Sequence, residues 1–277
     1  GMRKNKSIAQ YPYIVWSIIF IVVPLFLVLY YSLINSNGDV TFENYKKIFQ
    51  PNNIKVFLNS IKLASISTIL CLVLGYPVAY ILSKVNQKYR TLLMLLLVIP
   101  MWMNFLLRTY AWMSIIGRNG ILNSFLKFLG LPAVNILYTD TAVVLGMIYN
   151  FLPFMIIPIY TVLIKIDTNV IKAAADLGAN KFVIFKRIIF PLSIPGVMSG
   201  ITMVFMPAVS TFVISKLLGG GQFMLIGNLI ERQFTTVGDP YFGSAISILM
   251  MIIILISMAI LSKYEDKDEK EGGGILW

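Results

Sequence analysis

The 277-residue sequence contains no histidine and a single cysteine, Cys71. The lack of histidine removes the commonest metal ligand and general base, and one cysteine cannot form an internal disulfide. Charged residues are scarce, at 13% of the chain compared with about 25% in soluble domains. Hydrophobic residues make up 58%. This composition indicates an integral membrane protein.

Six apolar stretches approach or exceed the roughly 20 residues that a membrane-spanning helix needs. We predict an all-α polytopic fold with six transmembrane helices over residues 14–33, 57–83, 92–116, 141–164, 196–214 and 242–261. One transmembrane domain, residues 10–262, lies between an N-terminal tail (1–9) and a C-terminal tail (263–277). The C-terminal tail has mixed charge and is expected to be disordered.

The predicted spans contain no Asp or Glu. Proton relays and other intramembrane chemistry usually depend on such side chains, so their absence argues against an ion-coupled carrier and against a membrane-embedded enzyme. It also implies that carboxylates binding a cationic substrate would come mainly from another subunit. The chain has no GxxxxGK[ST] phosphate-binding loop, so an ATPase that powers it would be a separate chain.

Positive charge indicates the orientation. The net charge of +11 is attributed to loops facing anionic lipid rather than to nucleic-acid binding. The short turn between the second and third spans carries Lys84, Lys88 and Arg90 and no acid. With an even number of spans, this places both termini and the loop over residues 167–195 in the cytoplasm.

Residues 167–195, called here the coupling loop, have the local signals of two short helices. Asp167 is an N-cap residue, and Gly178 lies where a left-handed residue would end the first helix. The second helix is predicted from about Asn180, with Pro191 stopping it and Pro195 preventing its resumption. In the following span, Gly196 and Gly200 form a GxxxG pattern typical of close helix packing.

The coupling loop resembles the cytoplasmic "EAA" loop of ABC importer permeases. Ala173, Ala174, Gly178, Ile188 and Pro191 fall on that pattern in register, with Phe190 where Leu is usual and Lys172 where Glu is expected. The sequences GYPVAYILS, IPMWMNFLLRTYAW and LLGGGQFMLIGNLIERQF are similar to those of the spermidine/putrescine branch of these permeases.

The resemblance implies a type I (MetI-like) importer fold in the bacterial cytoplasmic membrane and uptake of polyamines by alternating access. The implied partners are an ATP-binding cassette ATPase dimer, a second homologous permease and an extracytoplasmic polyamine-binding protein. The chain itself would be no enzyme and bind no cofactor or metal, because ATP and Mg would be held by the ATPase. The same fold importing a metal, an anion or a sugar is the alternative.

Two sets of site residues follow. The resemblance implies that the ATPase contacts the coupling loop through Lys172, Ala173, Ala174, Asp176, Gly178, Ile188 and Pro191. Residues that could line a substrate pathway are aromatic, amide or charged, since aromatic faces attract ammonium groups: Trp102, Arg108, Tyr110, Tyr149 and Asn150. Two alternatives stay open, namely an interfacial aromatic belt and, for Arg108, a structural arginine paired within the protein.

Overall fold

The computed structural model describes residue 8 and residues 10–272, with side chains described as far as residue 264, and it is almost entirely helical. The helices are α1 (Tyr11–Ser32), α2 (Glu43–Ile48), α3 (Pro51–Lys84), α4 (Gln87–Trp102), α5 (Phe105–Ile116), α6 (Ile121–Phe128), α7 (Asp140–Leu163), α8 (Thr168–Asp176), α9 (Lys181–Ser210), α10 (Val213–Leu218), α11 (Ile226–Arg232) and α12 (Pro240–Gly272). Three π-helical segments occur, over Ile18–Val22, Phe185–Ile189 and Gln233–Val237.

Within the described part of the chain, five helices, namely α1, α3, α7, α9 and α12, are long and apolar enough to cross a membrane. The number of crossings reaches six when the bent pair Gln87–Trp102 and Phe105–Phe128, whose axes differ by 95°, is counted as one span. The predicted all-α fold with six crossings agrees with this arrangement, because the bent pair occupies the place of the third span.

The prediction of one helix over residues 92–116 is wrong. The helix stops at Trp102 and a new one begins at Phe105. Pro100 lies in the last turn of α4, and its backbone nitrogen has no hydrogen to donate to the helix. Asn104 then caps α5 by accepting hydrogen bonds from the backbone N–H groups of Leu106 (2.9 Å) and Leu107 (3.4 Å). Arg108 therefore lies beyond the break, on α5.

The predicted stop at Pro191 and the predicted start of the fifth span at Gly196 are also wrong. One helical rod, α9, runs through both prolines from Lys181 to Ser210. Its π-helical segment, Phe185–Ile189, comes directly before Pro191. In a π turn each N–H bonds to the carbonyl five residues earlier instead of four. The α-helical segment that follows begins at Phe190, so Pro191 lies in its first turn. A residue without an N–H is tolerated at that position.

The expected disorder of the C-terminal tail is wrong as far as Gly272, because α12 continues to that residue. The segment beyond Tyr264 is rich in Lys and Glu, which favour helix, and extending an existing helix avoids the cost of nucleation. The rest of this predicted tail and most of the N-terminal tail lie outside the described residues.

The chain divides into two compact units, and each is described by itself. The first comprises Gly1–Phe57 and Leu229–Ile253. In it, buried Asn44 of α2 donates hydrogen bonds to the carbonyls of Ser32 (3.1 Å) and Ile34 (2.9 Å). Lys47 forms an ion pair with Asp239 at 3.6 Å. These contacts fix the short helix α2 against the end of α1.

The second unit comprises Leu58–Asn228 and Ile254–Trp277. Its central contact is between α7 and α9. A Cβ on Gly196 would lie 2.9 Å from the Pro158 carbonyl oxygen, and one on Gly200 would lie 2.6 Å from the Met155 sulfur. The predicted GxxxG packing is therefore made within the chain, against α7.

We expect Gly196→Leu to lower the stability of the protein by about 1–3 kcal/mol, the usual cost of overpacking. The nearest atoms are backbone atoms of α7, which cannot rotate away. Thermal unfolding in detergent measures the effect. Ala259→Leu, at an exposed position of α12, is the control and should have the same unfolding midpoint as the wild type. An unchanged midpoint for Gly196→Leu would show that α7 and α9 are not in close contact.

Candidate functional site

The first helix of the coupling loop, α8, is capped by hydrogen bonds at both ends. The Asp167 carboxylate accepts a hydrogen bond of 2.8 Å from the N–H of Asn169 and so caps the helix start. At the other end the N–H of Gly178 bonds to the Ala175 carbonyl (2.9 Å) and the N–H of Ala179 to that of Ala174 (3.1 Å). This pair of bonds is a Schellman motif, and Gly178 has the left-handed φ of +87° that it requires.

The second helix begins three residues after Gly178. The Asn180 side chain accepts a hydrogen bond of 2.9 Å from the N–H of Val183, and α9 starts at Lys181. The predicted pair of helices with a break at Gly178 is confirmed. The loop is therefore a helix–turn–helix whose second helix, α9, continues without interruption into a membrane-spanning segment.

The predicted contact residues of the coupling loop lie mostly on its surface. Lys172, Ala173, Asp176 and Gly178 on the α8 side are exposed, as is Pro191 on α9. Ala174 and Ile188 are half-buried. The spacing of the motif thus presents one open face to a partner, although the role of each residue stays a prediction.

Sequence reasoning missed the most exposed apolar residue of this face. Leu177 is 89% exposed at the C-terminus of α8, and Phe182 at the start of α9 is 70% exposed. Neither exposed side chain contributes much to packing within the fold, so both are available for contact with another chain. An apolar residue directly before the left-handed glycine is the signal that could have identified Leu177.

The inner side of the coupling loop is tied to α3 by an aromatic cluster. Tyr76 and Tyr80 of α3 face Phe185 of the π-helical segment, with ring centroids 5.9 Å and 5.6 Å away. The Tyr76 hydroxyl also shares a buried hydrogen bond of 2.7 Å with that of Ser193. These contacts join the first part of α9 directly to α3.

Two of the five predicted pathway residues, Tyr149 and Asn150, are consecutive on α7. Tyr149 on α7 is half-buried and its ring packs edge-on against Trp112 of α5 at 5.1 Å. Asn150 is its neighbour on α7 and is buried, with Nδ2 donating to the Gly146 carbonyl at 2.8 Å. The Asn150 Oδ1 is buried and accepts no hydrogen bond from the described residues.

The other three predicted pathway residues lie on either side of the break in the third span, Trp102 before it and Arg108 and Tyr110 after it. Trp102 is 76% exposed and Tyr110 is 51% exposed, so neither is enclosed by this chain. Arg108 is half-buried, its guanidinium carbon lies 6.0 Å from the Phe105 ring centre, and its Nε has no hydrogen-bond partner among the described residues. Both interpretations of Arg108, a pathway residue and a structural arginine paired within the protein, stay predictions.

Comparison with known proteins bears on the helix order, the crossings and the coupling loop. A profile of the family described as "Binding-protein-dependent transport system inner membrane component" matches residues 71–269. The chain belongs to this permease family. The predicted permease fold, membrane location and transport role are confirmed at this level, and the fold agrees with that of ABC importer permeases.

Several relatives of this permease carry a substrate in their names. It is 40% identical over 249 residues to the spermidine/putrescine transport system permease protein PotB of Haemophilus influenzae, covering 87% of each chain. It is 38% identical to the PotB protein of Escherichia coli K12 over 88% of this chain and 92% of that protein.

Solved structures show the same fold at lower sequence identity. A chain of a bacterial ABC transporter involved in the import of the acidic polysaccharide alginate superposes with a TM-score of 0.82 over 95% of both chains, at 16% identity. That transporter in complex with its pentasaccharide-bound periplasmic protein gives a TM-score of 0.80. At this identity the likeness concerns the fold and not the substrate.

Proposed function

We propose that this permease takes up polyamines, spermidine or putrescine, as one membrane subunit of an ATP-driven importer that works by alternating access. The observation that carries the proposal is the 40% identity over 87% of the chain to a permease named for these substrates. The coupling loop supports the ATP-driven part, because it offers an ordered, exposed helical face.

In this proposal the ATPase is a dimer of separate chains that binds ATP and Mg, since this sequence has no phosphate-binding loop. The α8 face would fit a groove on the ATPase and follow it as a rigid body. A second homologous permease would complete the pore, and an extracytoplasmic protein would deliver the substrate. The related alginate transporter has a structure in complex with such a periplasmic protein.

We infer the orientation from positive charge. Lys84, Lys88 and Arg90 lie together at the turn between α3 and α4, a turn with no acidic residue. Such turns face the cytoplasm. Thr168 and Ile171 of α8 line the same cleft as Lys84 and Arg90, so the coupling loop lies at this end of the bundle. Both termini are then cytoplasmic.

The substrate contacts that this chain could offer are aromatic and neutral. The Trp112–Tyr149 pair provides ring faces for an ammonium group, worth about 0.5–2 kcal/mol per contact. The unpaired Oδ1 of Asn150 is a hydrogen-bond acceptor on the same helix as Tyr149. The carboxylates that neutralise a polyamine would come mainly from a partner subunit, as expected from the acid-free spans.

Uptake into proteoliposomes tests the proposal. The full chain is reconstituted with the subunits that co-purify with it, and labelled spermidine is supplied with its binding protein outside. The expected result is accumulation that requires ATP inside and is suppressed by excess putrescine but not by sulfate, a metal ion or a sugar. Competition by one of those solutes alone would assign the permease a different substrate.

We expect Asn150→Leu to stabilise the chain by about 1 kcal/mol, because it removes a buried acceptor whose unmet hydrogen bond is costly, and to slow spermidine uptake. Thermal unfolding and the uptake assay measure the two effects. Thr161→Val is the matched control, because Thr161 bonds to the Ile157 carbonyl of the same helix and has no proposed substrate contact. Normal uptake by the Asn150→Leu variant would show that Asn150 is not part of the substrate pathway.

A further inference from the structure

Two adjoining cavities meet at Arg90, at the turn between α3 and α4. The first, of about 160 Å³, lies between the end of α3, the end of α7 and the start of α8, and Tyr80 and Lys84 also line it. The second, of about 440 Å³, follows α4 and α7 away from the turn. Arg90 and Ile164 line both cavities.

The shared end of the two cavities is basic and fixed in position. The Nη2 of Arg90 donates hydrogen bonds to the carbonyls of Ser83 (3.0 Å) and Val85 (3.1 Å). Its Nε is buried and finds no partner in the described chain, so the guanidinium keeps unused donors. The Lys84 ammonium lies 5.4 Å from the Tyr80 ring centre. No acidic residue lines either cavity, and nearby Asp167 is engaged by the N–H of Asn169.

The far end of the second cavity is apolar. Met94, Leu95 and Val98 of α4 line it opposite Tyr160 of α7. Their spacing places them on one face of α4, and with Thr91 they form a groove about 10 Å long. The groove is open, since Leu95 is 46% exposed. A charged end followed by an apolar groove matches a molecule with an anionic head and a hydrocarbon chain.

We propose that this is a binding site for an anionic phospholipid of the cytoplasmic leaflet. The lipid phosphate is held by Arg90 and Lys84, and one acyl chain lies in the groove along Met94 and Val98. A polyamine is excluded because its charge has the same sign as the site. Since Thr168 and Ile171 of α8 line the first cavity, a bound lipid also braces the start of the coupling loop. The assignment rests on the cytoplasmic orientation of this turn.

The test compares Lys84 with Lys88, which lie on either side of the turn between α3 and α4. The full chain, with the subunits that co-purify, is placed in phosphatidylcholine nanodiscs with increasing phosphatidylglycerol, and retained phosphatidylglycerol is counted by native mass spectrometry. Lys84→Gln is expected to weaken retention about fivefold, the effect of one cation close to an anionic lipid. Lys88→Gln removes the same charge four residues away but lines neither cavity, so we expect a change of less than about twofold there.

A second pair of variants tests the groove without changing charge. Val98→Trp fills it and should reduce phosphatidylglycerol retention to the level of Lys84→Gln. Leu96→Trp adds the same bulk at a position that is 56% exposed and outside the groove, and should retain lipid as the wild type does. Glycerol phosphate, which has the charge but no acyl chain, should not displace the lipid.

Equal losses in Lys84→Gln and Lys88→Gln would overturn the proposal, because they would reveal diffuse attraction to the surface. Wild-type retention in Val98→Trp, or displacement of the lipid by glycerol phosphate, would also overturn it, because the site would then bind a soluble anion. Arg90 is left intact in these variants, since it also bonds the turn itself.

Discussion

Gly178→Val is expected to uncouple ATP hydrolysis from transport while leaving the chain inserted in the membrane. Gly178 has φ of +87°, and a Cβ there would meet no atom within 4 Å. The expected effect is therefore one of backbone conformation and not of crowding. Forcing a side chain into the left-handed region costs about 1–2 kcal/mol, which corresponds to about 5- to 30-fold in an equilibrium.

The structural reason for this prediction is the end of α8. The left-handed residue allows the N–H groups of Gly178 and Ala179 to cap the carbonyls of Ala175 and Ala174. Without it, the turn that orients α8 relative to α9 is no longer fixed. ATPase activity stimulated by loaded binding protein, measured in proteoliposomes, gives the degree of coupling.

Two controls separate this effect from general strain. Gly178→Asn should retain most of the coupling, because Asn tolerates the left-handed conformation. Gly38→Val introduces the same strain at a glycine with φ of +85° and equally free surroundings, but in the turn after α1. Full coupling in Gly178→Val, or equal uncoupling in Gly38→Val, would count against a docking role for the coupling loop.

Leu177→Asp should weaken assembly with the ATPase by about 30-fold or more, the effect of losing a central apolar anchor from an interface. Leu177 is 89% exposed, so its replacement removes almost no packing within the chain. The loss is measured as the amount of ATPase that is recovered with the affinity-tagged permease at increasing concentrations of salt and detergent.

The matched control is Phe49→Asp, which places the same charge at a side chain that is 72% exposed at the end of α2. It should leave the recovery of ATPase unchanged. Equal recovery of ATPase with Leu177→Asp and with wild type would place the contact elsewhere on the chain. A Leu177→Asp chain that fails to insert would show that Leu177 is needed for folding, which its exposure contradicts.

The sequence predicted best those features that depend on a few adjacent residues. The cap at Asp167, the left-handed Gly178 and the start of the second helix near Asn180 were all predicted, and each depends on local backbone conformation or local hydrogen bonds. The apolar stretches likewise located the crossings, because their length alone decides whether they span a membrane.

The predictions failed where neighbouring turns decide whether a helix continues. Pro191 was expected to end a helix, but the π-helical segment before it accommodates the ring. Pro100 was expected to be tolerated within a span, yet the cap supplied by Asn104 favours a new helix direction. A proline has the same local preference in both cases, so only the surrounding turns distinguish the outcomes.

The pathway residues could be predicted only in part, because enclosure depends on contacts between distant helices. Tyr149 meets Trp112 across α5 and α7, whereas Trp102 lies exposed beside the break that the sequence did not reveal. The basic cleft at Arg90 depends on the meeting of α3, α4, α7, α8 and α9 and has no sequence motif of its own.

Site-specific cross-linking tests most directly the central claim that the coupling loop is where an ATPase engages this permease. Cys71 is the only cysteine and is buried, so Ala173→Cys supplies one reactive thiol on the exposed face of α8. In native membranes, a short thiol cross-linker should join Ala173→Cys to a chain carrying a phosphate-binding loop, and not join Ser124→Cys on exposed α6. Recovery of the Ala173→Cys chain alone, stable and free of any ATPase, would contradict the account.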